Sequence, residues 1–228
     1  MKPTPRVEAI EYPARELEIP LRSVYRYLGM GRTRPDPSME FMAKQCVEEF
    51  RQVARYRACR LILPVTVEGE LVDVGAFSLS SRSLAKNLSG CRQVILFAAT
   101  TGAGGERLQK RTAVTSPAKA VVLDAVGTAA IEHFCDTLCR RWAVDFPGQL
   151  LRPRFSPGYG DVPLELQKTL LSCLDSHRKA GITLTQSLLM VPQKSVSALV
   201  GIGPTGCETQ LHDCGLCDKM DCQFRMDS

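Results

Sequence analysis

The chain has 228 residues, 44% of them hydrophobic and 23% charged, enough apolar material for a sizeable core and too much for a disordered chain. Its net charge is only +5; basic residues come in small groups (Arg51, Arg55, Arg57, Arg60) without interleaved aromatics, giving little support to a nucleic-acid partner and some to an acidic partner surface. No run reaches the length of a membrane span, and Met1-Lys2-Pro3-Thr4-Pro5-Arg6 leads into charge rather than an apolar signal core, so no membrane partner and a cytoplasmic location are expected.

Residues 1–37 are rich in Pro and Arg and are expected to form an N-terminal arm, with one short helix over Leu21 to Leu28 docking on the body. The main domain is expected over 38–203. Asp36-Pro37 marks a helix start with proline at the first position. Met39, Met42, Ala43, Cys46, Phe50 and Val53 then recur at helical spacing, a stripe for burial.

Sheet follows. Arg60 to Val67 and Glu70 to Leu79 are rich in β-branched residues and flank Glu68-Gly69, a tight hairpin signal. Gln93 to Ala99 reads as a buried strand. Behind it, Thr100-Thr101-Gly102-Ala103-Gly104-Gly105 forms a glycine-rich turn into a helix. Its spacing is neither G-x-G-x-x-G nor a P-loop, and a close-packed turn is the reading preferred over a phosphate cradle. Ser116-Pro117 opens the longest helix, running to about Trp142, with Val121, Val122, Ala125, Thr128, Ala129, Glu132 and Cys135 near one face. Its carboxylates Asp124 and Glu132 would by default face solvent or pair with Arg140 and Arg141.

The most informative stretch is Arg152-Pro153-Arg154-Phe155-Ser156-Pro157-Gly158-Tyr159-Gly160-Asp161. Pro157 fixes φ and Gly158 admits backbone angles that a side chain would forbid. Asp161 is expected to cap a helix beginning near Pro163 and carrying Leu164, Leu166, Leu170, Leu171 and Leu174. The result is a rigid, sharply turned loop with Arg154 and Tyr159 projecting. Two uses are open: an ordinary strand-to-helix turn, or a site in which the arginine fork grips a ligand carboxylate. Beyond it, Leu184 to Met190 reads as a short helix and Ser195 to Gly201 as a strand. Early strands interrupted later by helices predict an α+β fold with a twisted, largely antiparallel sheet.

Of ten cysteines, Cys46, Cys59, Cys91, Cys135, Cys139 and Cys173 sit among apolar residues and read as small core hydrophobes. The other four, Cys207-x6-Cys214-x2-Cys217-x4-Cys222, crowd a polar tail over 204–228. Thiolates so placed suit zinc or an iron–sulfur cluster, although the spacing matches neither a zinc finger nor the ferredoxin runs.

Arg-x-x-Pro-Gly-Tyr at 154–159 is followed by a helix and then by Gly181-x-x-Leu184-Thr185-x-Ser187-x-x-Met190-x-Pro192-x-x-Ser195-Val196-Ser197. This pattern, over about Arg152 to Gly201, resembles the activation domain of cobalamin-dependent methionine synthase. One departure is local: the family's Pro-Ala-Cys-Pro after the tyrosine is Gly160-Asp161-Val162-Pro163 here. The resemblance implies that the loop Arg154, Phe155, Ser156, Pro157, Gly158 and Tyr159 holds S-adenosylmethionine. Arg154 would take the methionine carboxylate, Tyr159 the ligand through its ring or hydroxyl, and the backbone from Phe155 to Gly158 the rest. Glu132 would help line the site. It also implies a role in restoring oxidised cob(II)alamin to methylcobalamin with one electron and a methyl group. A chain of this length leaves no room for homocysteine, folate and cobalamin domains, so action in trans is expected, on a truncated methionine synthase or another cobalamin-binding protein. That chemistry needs an electron, which favours iron–sulfur over zinc in the tail and suggests an electron-donor protein. The alternative function is a non-catalytic iron–sulfur or zinc adaptor, or electron carrier, for a corrinoid methyltransferase system.

Overall fold

The computed structural model describes residues 6–30 and 33–204. The chain runs through β1 (Glu8–Tyr12), a 3-10 turn (Ala14–Glu16), α1 (Leu21–Tyr27) and α2 (Pro37–Val53). Strands β2 (Tyr56–Pro64), β3 (Thr66–Glu68), β4 (Leu71–Asp73) and β5 (Ser78–Ser80) follow, then α3 (Arg82–Asn87) and β6 (Gln93–Thr100). Next come α4 (Gly104–Thr115), α5 (Pro117–Ala143) and β7 (Gln149–Leu151). The last elements are α6 (Leu166–Cys173), α7 (Ser176–Ala180), β8 (Thr183–Leu184), β9 (Met190–Val191) and β10 (Ser195–Pro204).

The central sheet has five strands in the order β1-β2-β6-β10-β7, with every neighbouring pair antiparallel. This is the α+β architecture the sequence predicts. Its middle strand explains its own composition. Ile95, Phe97 and Ala99 of β6 face one apolar cluster, whereas Val94, Leu96 and Ala98 face another. A strand covered on both faces gains nothing from polar alternation, so it reads as an unbroken apolar run. The first cluster is closed by α1, α2 and α5, through residues such as Val24, Phe50, Ala129 and Phe134. The second is closed by the β3-β4-β5 meander together with Leu84, Leu88, Leu170 and Leu174.

Local signals fix several ends. The Asp36 carboxylate accepts from the Met39 N–H at 2.8 Å, with Pro37 at the first helical position. Residues of the expected arm join the body: β1 pairs along β2 from Glu8–Arg60 to Tyr12–Tyr56, and Leu17, Ile19 and Val24 are buried. The α1 helix falls where expected. On α5, Val122, Ala125 and Ala129 are buried as expected, but Val121 is 61% exposed, because it lies just outside the arc that the neighbouring helices cover.

Two expectations are corrected. Leu184 to Met190 is not helical: β8 and β9 pair as a hairpin, Thr183 with Val191 and Leu184 with Met190. Thr185 closes its loop, pairing with Leu189 through both backbone and hydroxyl, while its Oγ1 lies 2.9 Å from the Ser187 hydroxyl. Such hydroxyls offer the backbone an alternative to helix. The helix after the Arg154–Tyr159 loop starts at Leu166, with Glu165 rather than Asp161 preceding it.

The glycine-rich turn is a packing device. A Cβ on Gly104 would collide with the Val53 carbonyl, and one on Gly105 with the Phe50 ring. These two glycines let α4 lie directly on the end of α2.

Candidate functional site

The Arg154 loop continues the edge of the sheet. After β7 pairs with β10, the Arg152 N–H donates to the Gly201 carbonyl at 2.8 Å, and Phe155 exchanges both backbone bonds with Leu199 at 2.8 and 2.9 Å. Phe155 is 4% exposed and anchors the loop in the second apolar cluster. Burying such a ring contributes about 1.5–3 kcal/mol. The chain then reverses. The Tyr159 N–H donates to the Ser156 carbonyl at 3.1 Å, and Gly158 has φ 84°. Proline second and a positive-φ glycine third define a type II turn. The Gly158 N–H donates onward to the Val162 carbonyl at 3.0 Å, so the reversal is braced on both sides. Tyr159 stands 50% exposed, its ring packed edge-on against Phe155 with centroids 5.4 Å apart.

Asp161 has a different role from the one expected. Its carboxylate accepts from the Ser81 hydroxyl, from the Arg82 N–H at 2.7 Å and from the Ser83 N–H at 3.2 Å. It therefore caps α3, about 80 residues upstream, beside that helix's own cap Ser81. The Ser81 hydroxyl and the backbone donors hold the Asp161 pKa down at about 2. The segment that departs from the family's pattern is the one that ties the loop to α3.

Arg154 points the other way, onto α5. Its Nη2 donates to Glu132 Oε2 at 2.7 Å, and its Nη1 lies 2.9 Å from Asp136 Oδ1. Glu132, Cys135, Asp136 and Cys139 are three and four residues apart and form one stripe along the helix. Burial opposes the guanidinium charge, but the stripe outweighs it and raises the Arg154 pKa above its ordinary value. Burial pushes the thiols of Cys135 and Cys139 up, the latter to about 11. At neutral pH both thiols are un-ionised, so the charges that pair with the guanidinium there are the carboxylates of Glu132 and Asp136. Tyr27 of α1 lies beside this cluster; its hydroxyl accepts from Arg26 Nη2 at 3.0 Å, and burial raises its pKa.

The structure thus brings Glu132 to Arg154 and joins Arg154, Phe155, Ser156, Pro157, Gly158 and Tyr159 in one braced turn. It adds Asp136, whose only signal in the sequence is its place four residues after Glu132. Asp124 pairs instead with Lys194 at 2.9 Å, not with Arg140 or Arg141. Among the described residues no group of three or more His, Cys, Asp or Glu is arranged to hold a metal. Cys207, Cys214, Cys217 and Cys222 lie outside the described residues. Of the other cysteines, Cys46, Cys59, Cys91 and Cys135 are buried. An open groove of about 370 Å³, lined by Lys168, Asp175, His177 and Thr183 among others, lies apart from the loop. Among the described residues no helix is long and apolar enough to cross a membrane.

Residues 149–222 match the family model for the vitamin B12-dependent methionine synthase activation domain. That span contains the loop, β10 and the four tail cysteines, and so extends beyond Gly201. No curated protein sequence matches the chain. Among solved structures, the fold is similar to that of a crystal structure of the MetH reactivation domain bound to AdoHcy. The TM-score is 0.64 at 15% identity, covering 90% of this chain and 80% of that one. The chain therefore resembles the activation domain of vitamin B12-dependent methionine synthase, in sequence over residues 149–222 and in fold over nine-tenths of its length.

Proposed function

We propose that this chain binds S-adenosylmethionine at the Arg154–Tyr159 loop and serves as the reactivation component for a cobalamin-dependent methionine synthase or related corrinoid protein. The observation that carries the reading is the braced turn itself. Pairing with Leu199 and the Pro157-Gly158 reversal hold a guanidinium on one side and an exposed tyrosine on the other. The AdoHcy-bound relative of the same fold supports it, because AdoHcy is what S-adenosylmethionine becomes on losing its methyl group.

In this reading Arg154 takes the ligand's carboxylate, and Tyr159 offers its ring to the sulfonium, an attraction of about 0.5–2 kcal/mol. Glu132 orients the arginine. The chain's own contribution is to hold the donor methyl in line with its acceptor and to exclude water. The cobalamin is supplied by the partner: one electron and the donor's methyl cation convert cob(II)alamin to methylcobalamin, leaving S-adenosylhomocysteine. The reading extends to the tail, where Cys207, Cys214, Cys217 and Cys222 would hold one iron–sulfur or zinc centre. Iron, sulfide and zinc contents of the full chain and of a truncation after Gly206 test that part; unchanged content in the truncation removes it.

The central test is calorimetry of wild type and Arg154→Ala with S-adenosylmethionine. Losing a charged hydrogen bond costs about 1.5–3 kcal/mol, tenfold or more in affinity. Binding that is absent from wild type, or equal in both proteins, rejects the site, and the adaptor reading takes its place. Transfer of labelled methyl to a cob(II)alamin-loaded partner, with a low-potential reductant, tests the reaction.

A further inference from the structure

The fork of Arg154 is already occupied by two carboxylates, and the two are held differently. Glu132 is hydrogen-bonded to Nη2 at 2.7 Å, and its side chain is 39% exposed. Asp136 lies 2.9 Å from Nη1, yet the angle makes no hydrogen bond, and Nη1 is buried without a hydrogen-bond partner among the described residues. The Asp136 side chain is 59% exposed. A buried, charged donor left without a hydrogen bond costs free energy that an aligned acceptor would recover. Asp136 balances the charge at Nη1 but leaves that donor unsatisfied.

The arginine itself is fixed. Phe155 is bonded to Leu199 on both backbone groups, and Glu132 and Asp136 are one turn apart on a long, well-packed helix. What can move is a carboxylate. Asp136 gives up least by turning away, because it is the more solvated of the two and makes no side-chain hydrogen bond among the described residues. The local charges are balanced, with Arg154 and Arg26 against Glu132 and Asp136, so exchanging one carboxylate for another keeps the guanidinium paired.

We propose that Asp136 is a placeholder on Arg154 Nη1 which the ligand's carboxylate displaces, while Glu132 remains as the permanent orienting partner. This rests on the S-adenosylmethionine reading above and makes Asp136 a residue that sets affinity for the carboxylate end of the ligand. The swap breaks one ion pair and makes another. Its cost to affinity is that of an exposed pair, equivalent to about two- to fivefold.

The experiment is calorimetric titration of the full chain as wild type, Asp136→Asn, Asp136→Ala and Glu132→Gln. Each is titrated with S-adenosylmethionine and with its decarboxylated analogue. Both Asp136 variants should bind S-adenosylmethionine about two- to fivefold more tightly than wild type, with unchanged affinity for the decarboxylated analogue. Glu132→Gln should bind S-adenosylmethionine more weakly. Unchanged or weaker S-adenosylmethionine binding by the Asp136 variants, or an equal gain for both ligands, overturns the placeholder while leaving the S-adenosylmethionine reading intact. Absence of binding by wild type overturns both.

Discussion

Replacing Gly158 by alanine tests whether the Arg154–Tyr159 loop is the type II turn described. Gly158 has φ 84°, where a Cβ costs about 1–2 kcal/mol. Alanine also lowers the entropy of the unfolded chain, which offsets about 0.4–1 kcal/mol. The added Cβ would stand 3.2 Å from Leu164 Cδ1. That side chain is 40% exposed, so it can yield at little cost. The net loss is then about 1 kcal/mol, or roughly 2–4 °C in Tm for a chain of this size. Asparagine tolerates the left-handed region better, so Gly158→Asn should recover part of the loss. Thermal unfolding of the three proteins measures this, and calorimetry with S-adenosylmethionine should show Gly158→Ala binding more weakly. A Gly158→Ala protein as stable as wild type, or more stable, would refute the turn and with it the rigid presentation of Tyr159.

Gly105→Ala should destabilise by about 1–3 kcal/mol through overpacking against Phe50, and Phe50→Leu in the same chain should restore part of it; denaturant unfolding decides. Asp161→Ala should speed amide exchange at Arg82 and Ser83 of α3 without abolishing the fold, as hydrogen exchange would show. The Asp161 pKa is depressed to about 2, so its contribution is complete above the ordinary carboxylate value and is lost as pH falls from about 4 through about 2. The wild-type clamp should accordingly open only in that acid window, visible as faster exchange at the same amides. Burial pushes the thiols of Cys46 and Cys59 up to about 11 and about 12, so neither should be alkylated in the native protein at pH 8; peptide mapping after labelling checks this.

Features written within a few neighbouring residues were legible in the sequence. Asp36-Pro37 specifies a cap and a first helical turn, because both act on adjacent backbone. Pro157-Gly158 specifies a reversal because proline fixes its own φ and glycine admits the positive φ that the next position needs, and the structure shows that turn. The unbroken apolar run of β6 announced a buried strand, which the fold covers on both faces, and the Arg-x-x-Pro-Gly-Tyr pattern pointed to the loop. What only the tertiary structure decided are the partners. Asp161 carries a strong capping signal, and from sequence the following helix is its natural object. The fold instead brings the N-terminus of α3, about 80 residues away, within reach first. Leu184 to Met190 reads as a short helix from sequence, yet the Thr185 hydroxyl and the pairing of β8 with β9 take the backbone bonds that a helix would need. Glu132 and Asp136 stand one turn apart on α5, but nothing local says that Arg154 lies across from them. That meeting depends on the register of β10 against β7 and on the packing of α5 over the sheet. A single sequence states which groups want partners; the register and packing of the whole chain determine which ones they find.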